Sequence, residues 1–168
     1  MNFRRLFPFL LLSLVASLPV MRAQQPAHSS TDAALKEIDF VHGGHGPFAV
    51  AGYRIGERAL KELGEPRSSF SLEVIHKTPA EVQWTCIADG VQAATGVSVG
   101  KMNLKIEPAP VEGVETVIHD KKSGRTLVFH IQPVFTKRYL DLPHEKLAAA
   151  GAEAIALPDE AIFSISTN

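Results

Sequence analysis

A chain that runs His42-Gly-Gly-His-Gly-Pro47 and then turns amphipathic has few backbone options at that point. The three glycines reach dihedral angles that other residues resist, and Pro47 lacks the N–H that a helix interior would need. Proline is favoured at the first helical position, so the stretch reads as a loop that becomes a helix. Phe48, Ala51, Ile55, Ala59 and Leu63 follow at intervals of three and four and describe one helix face, which Gly64 ends. His42 and His45 are thereby placed at or just before a helix N-terminus. Unsatisfied N–H donors and a partial positive charge at that end favour an anion, or bias the protonation of imidazoles. Gly52 and Gly56, four apart on this helix, cost stability unless another element packs close against the backbone.

Upstream of this stretch, Met1-Asn-Phe-Arg-Arg5 is basic and Leu6 to Val20 is an apolar run short for a membrane span. Residues 1–23 therefore read as a secretory signal peptide cleaved after Ala23, an uncleaved anchor being the alternative. Residues 24–34 read as a disordered spacer running into a short helix over Thr31 to Ile38, and residues 35–168 as the domain. The mature chain of about 145 residues suits one domain with one core. With 17 basic against 18 acidic side chains and no basic patch, nothing points to nucleic acid. The expected location is periplasmic or secreted, with no membrane attachment after signal cleavage. Cys86 is the one cysteine, so no internal disulfide forms.

Downstream, Phe70 to His76 reads as a strand, and Thr78, Pro79 and Glu81 have the spacing of a capping box for a helix over Ala80 to Ala94. Cys86, Asp89 and Gln92 recur at intervals of three and share a stripe of that helix, beside an apolar stripe of Ile87, Val91 and Ala94. A glycine-bounded turn over Gly96 to Asn103 leads into a strand over Met102 to Ile106. Glu115 to His119 and Thr126 to Gln132 read as a hairpin about the turn at Lys121 to Gly124. Beyond Pro133, a short helix over Pro143 to Ala150 closed by Gly151 and a final strand or partner contact over Ala161 to Ile165 complete the chain.

His42, His45, Cys86 and Asp89 supply the ligand types that Zn²⁺ or a similar metal accepts. The competing reading makes the histidines loop-stabilising donors, Cys86 a small core residue and Asp89 a partner for backbone. Nucleophilic chemistry at Cys86 with His42 or His45 needs an activated thiol. Lys101, beside Ser98 and Asn103 in the glycine-bounded turn, can neutralise an anion, although the phosphate-loop pattern is absent. His76, His119, His130 and His144 read as ordinary surface or sheet histidines.

Four ordered motifs, His42-Gly-Gly-His-Gly-Pro-Phe48, Gly52-Tyr-Arg-Ile-Gly56, Cys86-Ile-Ala-Asp89 through Gln92 to Gly96, and Gly100-Lys-Met-Asn-Leu104, resemble those of the FmdE family of formylmethanofuran dehydrogenase subunits. The resemblance covers about Phe40 to Gln132. It implies an α+β, FwdE/GAPDH-like domain of helix, strand, helix and three strands, with a mixed or antiparallel sheet and a C-terminal extension from about residue 133. It also implies a homodimer, and zinc or another divalent metal held by His42, His45, Cys86 and Asp89. Lys101, Asn103, Gln92 and Tyr53 fall within its motifs as candidate ligand-binding residues. No molybdenum or tungsten cofactor is expected, because the resemblance is to an accessory subunit. Aligned on Pro47, Gly44 stands where the family's second histidine is expected and His45 has moved one place along. Gly46 and Val97 stand where many members carry cysteine. Three roles follow: a binding or accessory domain for a divalent metal or small anion, a metal-assisted hydrolase or isomerase with His42 or His45 as base, and a metal-free structural or sensor domain.

Overall fold

The computed structural model describes residues 27–167; the expected signal peptide lies outside them. Helix α1 (Ala27–His42) begins well before Thr31, so most of the segment expected as a spacer is helical. It also runs on past Ile38 to His42, which shrinks the expected loop to residues 43–46 and puts His42 at the end of one helix. Helix α2 (Pro47–Leu63) starts at its proline and stops at Gly64, whose φ of 70° closes the helix through an N–H to the Leu60 carbonyl. Strand β1 (Leu72–Thr78), helix α3 (Val82–Thr95) and strand β2 (Leu104–Pro108) form a βαβ unit, the connection that parallel neighbours require. The capping box does not form. Thr78 is the last residue of β1, and α3 starts at Val82 after Glu81, whose side chain makes no capping hydrogen bond.

Strands β3 (Glu115–Asp120) and β4 (Thr126–Ile131) form the hairpin, and β3 docks antiparallel on β1. The Asp120 carboxylate accepts the backbone N–H groups of Lys122 and Ser123 and so fixes the turn. The C-terminal segment supplies helices α4 (Pro133–Tyr139), α5 (Leu147–Ala154) and α6 (Asp159–Ile162), and then strand β5 (Phe163–Thr167). Gly151 lies inside α5 and does not close it. Strand β5 pairs antiparallel with β4, so the sheet has five strands in the order β2-β1-β3-β4-β5 and is mixed. The domain is α+β, and its C-terminal part completes the sheet.

Residues of alternate parity on β1, β3 and β4 point into the core under the helices, as Leu72, Val74, Ile118, Leu127 and Phe129 show by their burial. His76 is the polar exception. Fully buried, it donates from Nε2 to the Trp84 carbonyl and accepts from the Thr116 hydroxyl at Nδ1, which satisfies both ring nitrogens. Burial pushes its pKa below the usual histidine value, so the ring is neutral.

Helices α2 and α3 cross backbone to backbone. A Cβ built on Gly52 would lie 2.0 Å from the Ile87 carbonyl oxygen, and one built on Gly90 would lie 1.9 Å from the Ala49 oxygen. A Cβ on Gly56 would instead meet a side chain, the Ala94 Cβ at 2.6 Å. The glycines that weaken these helices in isolation thus permit the crossing that holds them in the fold. Arg54 then ties α2 to the C-terminal segment, donating to the carbonyls of Ile155 and Leu157 at 2.7 and 2.9 Å and to Asp159 at 2.6 Å.

Candidate functional site

The α2–α3 crossing sets which stripe of α3 faces the end of α1. Ile87, Val91 and Ala94 are buried, and the adjoining stripe bearing Cys86 and Asp89 is left at the surface beside His42. His42 donates from Nδ1 to Asp89 Oδ2 at 2.8 Å; the proton must sit on that nitrogen, because a carboxylate only accepts. The Cys86 side chain interacts with the same imidazole. Asp89 first, and Cys86 after it, push the His42 pKa up to about 10 against partial burial, so the ring is an imidazolium at neutral pH.

His45 is oriented differently. Its Nδ1 donates to Asp39 Oδ1 at 2.7 Å, so the second loop histidine pairs with an acid of α1 and not with the α3 stripe. Helix α5 fixes the loop from outside: a Cβ on Gly151 would lie 1.5 Å from the His45 carbonyl oxygen. His42 and His45 therefore lie on one cleft but belong to two separate pairs.

That cleft has a volume of about 490 Å³. Asp39 and His42 of α1, the loop 43–46, Phe48 and Ala49 of α2, and Val82, Gln83 and Cys86 of α3 line three sides, and His144, Leu147 and Ala148 close the fourth. Phe48 forms the apolar floor, in edge contact with Trp84 and Phe135 at 5.2 and 5.8 Å between ring centres. The first bond within α2 is from Val50 N–H to the Gly46 carbonyl, and glycine provides no side-chain cap. The N–H groups of Phe48 and Ala49 accordingly have no acceptor within the helix.

Of the residues singled out in the sequence, His42, His45 and Cys86 line the cleft, and Asp89 supports it from behind His42. Lys101, Asn103, Gln92 and Tyr53 do not line it. The Lys101 ammonium donates to the Gly96 carbonyl at the end of α3 and lies over the Phe70 ring. Asn103, buried, accepts the Ser98 N–H and donates to the Leu72 carbonyl, fastening the turn to β1. Sequence reasoning missed Asp39, Gln83 and His144. Asp39 carried a signal, since it sits three residues before His42 on one helix face. His144 carried none, because the chain reaches the cleft there through the long-range packing of α5 on α2.

A metal centre needs donors that converge. Histidine and thiol are suitable types, yet among the described residues no three of His, Cys, Asp or Glu come together as a group that could hold an ion. Asp39 holds His45, and glycine and valine stand at positions 46 and 97. The side chains as arranged do not fit a three- or four-donor metal site.

These features define an α+β domain with a half-open cleft at a helix–loop–helix junction, floored by an aromatic ring and edged by carboxylate-held histidines. The family model for FmdE, described by the molybdenum formylmethanofuran dehydrogenase operon, matches residues 41–164, and the chain belongs to that family. The match includes the segment beyond residue 133, in keeping with the place of β5 in the sheet. Among solved structures, the chain is similar to a tungsten formylmethanofuran dehydrogenase FmdE-like protein from Syntrophus aciditrophicus, with a TM-score of 0.54 at 20% identity. That likeness covers 82% of this chain and 71% of the other and shows a shared fold. No curated protein matches the chain.

Proposed function

We propose that the protein is an exported binding domain whose cleft holds a small, largely apolar ligand through a carboxylate. The observation that carries this reading is the pairing of an apolar floor with a histidine kept protonated by Asp89 at the cleft wall. Phe48, Leu147 and Ala148 cover the body of such a ligand, and His42 together with the uncapped start of α2 meets its charge. The role is accessory: the ligand is held, and the reading requires no redox chemistry.

The test is a thermal-shift titration of the mature protein with acetate, butyrate and benzoate. Binding to the native state alone raises Tm by mass action, with the largest shift expected for benzoate. The shift should vanish in His42→Asn. A protein indifferent to all three acids would overturn the reading. Stabilisation by Zn²⁺ alone, lost in Cys86→Ala and His42→Asn, would replace it with a metal centre.

A further inference from the structure

We propose that two copies of the chain pair antiparallel through the free edge of β2, with Ile106 opposite Ile106, so that one sheet runs through both. The surface lies away from the cleft and does not depend on what the cleft binds. Strand β2 is the end strand of the sheet, and among the described residues only its inner edge is paired. On that inner edge the Asn103 carbonyl accepts from the Val74 N–H, and the Ala109 N–H donates to the Thr78 carbonyl. Backbone groups alternate sides along a strand, so the odd-numbered residues of this stretch turn theirs toward β1. Leu104 and Ile106 turn both N–H and C=O outward, and the Pro108 carbonyl follows them. Such a row is a template for another strand.

Charge and register point to a second copy as the occupant. A two-fold axis sets a strand against its own copy in antiparallel sense. With Ile106 on that axis, the two Ile106 residues exchange both backbone bonds, and each Leu104 N–H donates to the other copy's Pro108 carbonyl. The proline, which has no N–H, thus falls where its acceptor is used, and only the Leu104 carbonyl is left to water. Lys105 then stands opposite the other copy's Glu107, twice, at the closely spaced positions between bonded pairs. Lys77, the neighbour of Glu107 on β1, is bonded to Glu115 at 2.7 Å, which leaves the Glu107 carboxylate for the second copy. Sliding the strands by two residues either way keeps the backbone groups matched but sets Lys105 on Lys105 or Glu107 on Glu107, so like charge rejects both neighbouring registers. Apolar surface agrees with this pairing. Ile106 is half exposed, and antiparallel pairing brings the exposed Met102 at one end of the edge beside the exposed Val111 at the other end of the second copy's edge.

Sedimentation equilibrium of the mature protein tests this, with hydrogen exchange as the local readout. A dimer is expected, and the Leu104 and Ile106 amides should exchange more slowly as protein concentration rises. Lys105→Glu and Glu107→Lys each put like charges opposite one another at two symmetric positions and should raise the dimer Kd about tenfold or more. Both side chains are exposed, so the fold of each variant should be unaffected. An equimolar mixture of the two variants restores opposite charges at both positions and should form a mixed dimer as tight as the parent. A parent that stays monomeric at every concentration would overturn the proposal. A dimer that neither variant weakens would place the interface elsewhere, and weakened variants whose mixture does not recover would refute the register. A dimer whose Leu104 and Ile106 amides exchange as fast as in the monomer would also refute it, a comparison that needs no variant.

Discussion

The two sides of α3 meet their neighbours in opposite ways. Toward α2 the contact is backbone on backbone at Gly52 and Gly90, with Gly56 packed against the short Ala94 and Thr95 side chains. Toward α1, beside the buried side-chain packing of Ala34 and Ile38, the contact at the cleft is a polar pair, His42 with Asp89, both partly open to solvent. The first contact has one solution and fixes the rotation of α3. The second is adjustable and holds the chemistry. A site built this way gets its geometry from apolar packing a few residues away, while its polar groups remain free to exchange partners with a ligand.

Substitution at the crossing should break that contrast most severely. Gly90→Ala places a methyl group on the Ala49 carbonyl and forces the helices apart, a loss on the order of 4 kcal/mol or more in denaturant unfolding. A stable Gly90→Ala protein would mean that the helices are not in backbone contact. Next in size is Arg54→Ala, which leaves the Ile155 and Leu157 carbonyls without their donor and Asp159 with Arg58 alone. The expected cost is about 2–3 kcal/mol, with faster hydrogen exchange across α5 and β5.

The pH dependence of stability separates core from cleft. His42, held at about 10, favours the native state fully below its unfolded value of about 6.5 and loses that contribution as pH rises toward 10. His76, held low by burial, has the opposite sign: its contribution is present above about pH 6.5 and fades as pH falls toward its lower native value. Unfolding midpoints measured across pH should lose their alkaline slope in His42→Asn and their acid slope in His76→Gln. An alkaline limb unchanged by His42→Asn would show that the Asp89 pair is absent in solution. The smallest effect is expected at Gly44→Ala, where a Cβ meets nothing within 4 Å, and stability should stay within about 0.5 kcal/mol of the parent.

Much of this was legible in the chain. Pro47 and Gly64 bracket α2, the Lys121 to Gly124 turn marks the hairpin, and Gly52 with Gly56 announces a close crossing. The family motifs brought His42, Cys86 and Asp89 into one group, and the three lie together in the fold. The same motifs included Lys101, Asn103 and Arg54, whose polar groups reach the Gly96, Leu72, Ile155 and Leu157 carbonyls. A recurring motif identifies a constrained position without saying whether a ligand or a carbonyl constrains it.

Local events are written in the order of residues, because proline, glycine and apolar spacing act through dihedral angles and periodicity within a few positions. They set where α2 starts and stops, and which stripe of α3 carries the thiol and the carboxylate. Long-range packing was needed to place β3 between β1 and β4, to close the sheet with β5, and to bring His144 and Leu147 to the cleft. The same packing turned His45 toward Asp39 and away from Cys86. These outcomes depend on which distant surfaces meet, and a side chain of two or three rotatable bonds takes whichever partner that meeting brings within reach.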